Sequence, residues 1–347
     1  FTFTKITGVI FRNLTFKGRF ILDENTRSIL FEGNRIITNT FDDAVVSHQY
    51  NENVQFINNH FSNAKRFFSY THLKGNKYPK RLVIKGNTFD EPYTDAIVVN
   101  TVDSLIIDSN YFYKQKINGG GRCLILNNDS YFKISRNTIA GEFELGIQLQ
   151  QPVEVLPVKG ISSVENNTIM VYDGIVIQRD RVNVFYNSVY ARNGYTPFIL
   201  VGYADSVCNN IFVSENGYAS GIIAGAGANY LEHNIYFTNG QQLMNVYNVE
   251  YSNLSTYTAA TGFDKQSFML DPQFVSVVDD LHYQNSTLDG KALPLKTVTT
   301  DLKGVKRHLV KPNPGAFEIN KTIGIDKLEA ERKISIYPNP FINRLVI

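Results

Sequence analysis

The chain has 347 residues, of which 43% are apolar and 19% charged, and its formal net charge is +2. Lys and Arg form no run or basic face, which excludes a nucleic-acid surface built on positive charge, and no apolar run is long enough to span a bilayer. Twenty-four Phe and twenty Tyr without a single Trp suit a chain made mostly of strands.

From the first residues an asparagine recurs in one local frame: an alternating apolar stretch, Asn, any residue, then an apolar one. The ten instances are Asn13, Asn34, Asn59, Asn87, Asn110, Asn137, Asn167, Asn187, Asn210 and Asn234, at gaps of 20 to 30 residues. Such a period carried by short strand-like segments signals a solenoid. The opening FTFTKITGVIF, already in strand pattern and without Met, reads as the start of a chain cut from a longer one.

Each repeat holds a first strand ending at the asparagine and a second strand soon after it. The second strands are DAVVSH (43–48), FFSYTH (67–72), DAIVVN (95–100), RCLILN (122–127), LGIQLQ (145–150), DGIVIQ (173–178) and TPFILV (196–201). Both sets alternate with period 2, and helical patterning is nearly absent before residue 250. Strands in repeats this short pair with the equivalent strand of the next coil. The expected fold is therefore all-β: a right-handed, single-stranded parallel β-helix of ten or more rungs over residues 1–250, roughly 50 Å long. The asparagines are expected at coil corners, where Asn tolerates left-handed backbone, and their amides can stack as a ladder along the axis.

Residues 251–320 lose the period and are expected to close the solenoid's end, with a short helix at 254–261. Residues 321–333 (KTIGIDKLEAERK) read as a linker, and residues 334–347 (ISIYPNPFINRLVI) begin a new strand pattern. Cys123 and Cys208 lie about four rungs apart, on the order of 20 Å at the spacing of stacked strands. A disulfide needs Cα atoms within about 7 Å, so both are expected to be free thiols in or near the core.

Aligning the second strands sets their sixth positions in one column: His48, His72, Asn100, Asn127, Gln150 and Gln178. With Val45/Ser47, Ile97/Val99, Leu124/Leu126, Ile147/Leu149 and Ile175/Ile177 pointing inward, this column points outward, with Tyr70, Gln148 and Arg179 near it. A ladder of amides and imidazoles suits a linear polymer whose hydroxyls need paired donors and acceptors; strand ends on a solvated face also give polar columns. Asp43, Asp95 and Asp173 share the first position, interrupted by Phe67, Arg122 and Leu145, and read as turn residues. Glu142 and Glu144 are the only calcium candidates, and two carboxylates specify no site, so no cofactor or metal is expected. No histidine pair has metal-ligand spacing, and no nucleophile or phosphate-loop motif occurs.

The last fourteen residues resemble the start of the C-terminal sorting domain of type IX secretion cargo from Bacteroidetes, through Ile334, Ile336, Tyr337, Pro338, Asn339, Pro340, Asn343, Leu345 and Ile347. The stretch before them is similar to the closing segment of secreted bacterial β-helix proteins of the pectate-lyase-like class, through Asp271-Pro272-x-Phe274, Asp280-Leu281-His282 and Pro314 to Glu318. The resemblance implies a secreted or outer-membrane-surface protein handled by the type IX machinery; the outward column adds the expectation of an extracellular polysaccharide as partner, and the protein is expected to be monomeric. The rung DGIVIQRDRVNVFYNSV is similar in outline to the catalytic rung of chondroitinase-B-like and alginate lyases, but Gln178 and Arg179 stand where that family places a lysine base and a small polar residue. The Asp-Asp and Gly-His-Gly pattern of polygalacturonase-like hydrolases is missing. Three functional expectations remain open: non-catalytic polysaccharide binding, a lyase for a uronate-containing glycan with His48, His72 or Tyr70 as base, and an adhesin or structural stalk.

Overall fold

The computed structural model describes residues 1–71, 78–116, 121–127, 131–150, 160–223 and 226–319. The residues expected to form a linker (321–333), those expected to form a sorting motif (Tyr337, Pro338, Asn339 and Pro340), and His72 lie outside the described residues.

Because each strand runs only a few residues before a corner, its backbone groups find partners on the next turn. Among the described residues three sheets of 12, 10 and 11 strands result, parallel except for the last strand of the first, wound into a solenoid of about nine turns with 50% strand and 4% helix. In the first sheet, Phe68 pairs with Val45 and Ile97, and Ile97 with Leu124, carrying the register from turn to turn. Alternation then sends Val45, Ser47, Ile97, Val99, Leu124, Leu126, Ile147, Leu149, Ile175 and Ile177 into the core, where all are buried. Aromatic side chains stack along the axis: Phe31 on Phe56 at 4.7 Å, and Phe89 on Phe112 at 4.6 Å between ring centroids. Each such ring removed from water contributes about 1.5–3 kcal/mol.

The asparagine frame divides into two devices. Nine asparagines, Asn34 to Asn234, are buried with their amides stacked. From Asn34 to Asn210, each backbone N–H and each Nδ2 donates to the Oδ1 of the asparagine one turn on, at 2.8–3.1 Å. The same Nδ2 also donates to a carbonyl of the preceding turn, as Asn137 does to Ile107 at 2.9 Å. The left-handed corner falls one residue earlier, on Asn13, Gly33, Asn58, Gly86, Ser109, Arg136, Asn166, Tyr186, Asn209 and His233. Asn13 is thus corrected from ladder to corner: Thr15 pairs with Arg35, which sets Leu14 opposite Asn34, and the Leu14 N–H donates to the Asn34 Oδ1 at 2.9 Å. A ladder amide must point inward to meet its neighbours, and a corner residue in left-handed backbone cannot supply that direction.

At the far end Val249–Tyr251 turns back antiparallel onto Met244–Val246, and helix α1 (Leu254–Thr261) lies next, capped by Asn253 at its start and Gly262 at its end. The ladder terminates on buried Asp264, whose carboxylate accepts from Ser267 Oγ (2.5 Å), Asn234 Nδ2 (3.4 Å) and the hydroxyls of Tyr236 and Tyr257 (3.2 Å each). Beyond Phe268–Met269 the chain doubles back along the outside of the third sheet. Leu281, Ala316 and Phe317 pack there on Ala140 and Met170, and Tyr283 and Leu288 on Ile211, Val213 and Ile235. Arg307 locks this segment. Its guanidinium lies 3.7 Å from the Tyr186 ring centroid and donates to Asn166 Oδ1 (2.6 Å), Gly315 O (2.9 Å), Asn313 O (3.1 Å) and Glu318 (3.4 Å). Gly315 is required at φ +76°, because a Cβ would sit 2.5 Å from Ser188 Oγ. Both cysteines are free and buried, as the rung count implies, and burial holds the Cys208 thiol up at about 12.

Candidate functional site

The outer edge of the first sheet, where it turns into the second, carries the polar column. Extending the pairing of Tyr70 with Ser47 and of Thr71 with Asn100 makes the column His48, Thr71, Asn100, Asn127, Gln150 and Gln178. Thr71 replaces His72 because the two phenylalanines Phe67 and Phe68 shift that strand by one residue relative to the alignment read from sequence alone. A one-residue shift exchanges the faces of a strand, and Tyr70 shows it. Tyr70 is 1% exposed, points into the core between Ser47 and Val99, and its hydroxyl has no hydrogen-bond partner among the described residues. Burial without a partner holds that phenol far above its ordinary range.

The column members bind one another along the axis. His48 Nδ1 lies 2.7 Å from Thr71 Oγ1, and Asn127 Nδ2 donates to Asn100 Oδ1, leaving Asn127 Oδ1 buried with no partner among the described residues. Gln148 stands two residues before the column member Gln150 in the same strand, on the same outer face. It accepts from Arg122 at 3.0 Å and donates to Gln178 Oε1 at 3.1 Å. Arg179, expected beside the column, turns the other way: it is 5% exposed, with its guanidinium 5.2 Å from the ring centroid of core residue Phe132.

The corrected register also regularises the opposite edge of the sheet. Arg66, not Phe67, stands between Asp43 and Asp95, so the first positions run Asp43, Arg66, Asp95, Arg122 with alternating charge. Arg66 binds Asp43 through two bonds of 2.9 Å, and Arg122 reaches Asp95 at 3.3 Å. Between the two edges runs an outward line of Val98, Ile125, Gln148 and Val176, whose three apolar members are buried. Glu142 is taken up by the Tyr172 hydroxyl (2.7 Å) and Arg192 (3.2 Å), and among the described residues no three His, Cys, Asp or Glu side chains converge as metal ligands. The outer edge is thus a rigid line of hydroxyl, imidazole and amide groups stepped at the inter-strand spacing of about 4.8 Å, able to exchange hydrogen bonds with a chain laid along the axis. No protein-family model, curated protein or solved structure matches the chain.

Proposed function

We propose that the protein binds an extracellular polysaccharide along the column His48, Thr71, Asn100, Asn127, Gln150 and Gln178. The observation that carries this reading is the unbroken polar register of that edge over six turns, which matches the repetitive hydroxyls of a polymer better than it matches a single small ligand. Binding without bond cleavage fits best. Tyr70 and Arg179, two of the groups expected to serve proton abstraction and charge stabilisation, are both buried, and His48, the remaining candidate base among the described residues, has its Nδ1 held 2.7 Å from Thr71 Oγ1. The sorting motif at Tyr337, Pro338, Asn339 and Pro340 supports export by the type IX machinery to the medium or the outer-membrane surface.

Native electrophoresis through gels containing alginate, pectate, chondroitin sulfate or β-glucan tests the binding, with ultraviolet absorbance of unsaturated product followed in parallel. Retardation in at least one gel, without product, is expected, and the double variant His48→Ala, Gln150→Ala should lose it. Retardation that survives the double variant would remove the column from the site, and retardation in none would remove the function.

A further inference from the structure

Beyond Gln178 the polar column does not end; it changes character. Ile177 pairs with Leu200, Leu200 with Ile222 and Ile222 with Val246, so the next members are Val201, Ile223 and Tyr247. Their backbone amides continue the turn-to-turn bonding, to Ile177 O, Leu200 O and Ile222 O at 2.8–2.9 Å. All three are exposed (37%, 48% and 43%), and Tyr203, just past Val201, is 45% exposed.

Two of these side chains are held in place. Tyr203 lies opposite Gly227 in the second sheet, and a Cβ at Gly227 would stand 3.1 Å from its ring, so the ring rests on bare backbone. From the turn on the other side, the Tyr247 hydroxyl donates to Ala226 O at 2.9 Å. Two tyrosines thus converge on the Ala226–Gly227 backbone from opposite directions while close to half of each stays open to solvent. Polar groups flank them: Asp180 Oδ1 accepts from the Tyr203 N–H at 3.1 Å, and Asn229 Nδ2 donates to Asp205 Oδ1 at 3.1 Å.

We propose that Tyr203, Tyr247, Val201 and Ile223 form a stacking platform for pyranose rings at one end of the polar column. The preferred polymer is then a β-linked chain of gluco configuration, since rings with all substituents equatorial present flat C–H faces to an aromatic surface. The proposal rests on the polysaccharide reading above and narrows it to a neutral, flat class. Continuity with the polar column specifies this occupant. The strip is one side chain wide, far narrower than the patch of about 800 Å² that a stable protein partner covers. Fixing the rings in advance also removes ordering cost from binding.

The test uses barley β-glucan in native affinity gels and cellohexaose in calorimetry, with guluronate-rich alginate, whose rings are linked through axial bonds, as the non-flat comparison. Wild type should bind both glucan probes; Tyr203→Ala should bind them about tenfold more weakly, the equivalent of about 1.4 kcal/mol, while Tyr203→Phe keeps wild-type affinity. Equal thermal melting of the two variants shows that folding is intact. Unchanged glucan affinity in Tyr203→Ala, or wild-type retention on alginate but not on β-glucan, would overturn the platform and leave the broader polysaccharide reading standing. Retention on no polysaccharide overturns both.

Discussion

Replacing Asn137 by Ala removes one whole link of the amide ladder. The side chain is fully buried and makes four hydrogen bonds: its Nδ2 donates to Ile107 O (2.9 Å) and Asn167 Oδ1 (3.0 Å), and its Oδ1 accepts from the N–H (3.0 Å) and Nδ2 (2.9 Å) of Asn110. At a net value of about 1 kcal/mol for each bond, with a further penalty for the Asn110 N–H left without an acceptor, the loss is about 3–6 kcal/mol. Asn13→Ala is the control. Asn13 is exposed and makes no ladder bond; its φ of 56° costs Ala about 1–2 kcal/mol. Urea unfolding followed by far-ultraviolet circular dichroism measures both, and tyrosine fluorescence checks that the two probes coincide. Because a solenoid is stabilised turn by turn, the Asn137 variant is also expected to broaden or split the transition. Equal losses for the two variants, or a loss below about 1 kcal/mol at Asn137, would refute the ladder as a stabilising element.

The remaining expectations concern the far end of the solenoid and the returning segment. Burial pushes the Asp264 carboxyl up to about 7 from an ordinary 3.8, so its contribution to stability is complete below the lower value and is lost as pH rises through the higher one. The thermal midpoint of wild type should therefore fall between those limits more than that of Asp264→Asn, and parallel profiles would show that Asp264 does not titrate there. Arg307→Met leaves Glu318 buried without its cation and should cost about 3–5 kcal/mol in the docking of the returning segment. Limited proteolysis reads this as new cleavage between residues 290 and 319, and an unchanged cleavage pattern would count against Arg307 as the lock.

The inward and outward faces of most strands were legible from period-2 alternation alone, since burial follows directly from side-chain direction; the strand of Tyr70 and the corner at Arg179 were not. The candidate column was legible except at one turn. Two adjacent phenylalanines, Phe67 and Phe68, both buried, offer two registers that hydrophobicity cannot separate, and only the pairing of Phe68 with Val45 and Ile97 decides between them. The aromatic continuation escaped the sequence reading because Val201, Ile223 and Tyr247 share no residue type with the amides. Their kinship lies in position. The docking of the returning segment did leave a signal: Met170, Ile211, Val213 and Ile235 are apolar on the outward face of strands whose inward face is already apolar, whereas earlier turns carry Lys17, Arg35, His60 and Asp90 there.

The sequence by itself determined the solenoid, because a polar side chain recurring at each turn and a two-residue apolar period leave the backbone only the next turn to pair with. Tertiary structure decided which asparagines stack and which bend the chain, where residues 270–319 lie, and that Tyr70 and Arg179 face inward. Each of these depends on a one-residue choice of register or on contacts between segments more than a hundred residues apart, such as Arg307 with Asn166. Local pattern is silent on both, because strand alternation looks the same in either register and carries no information about distance along the chain.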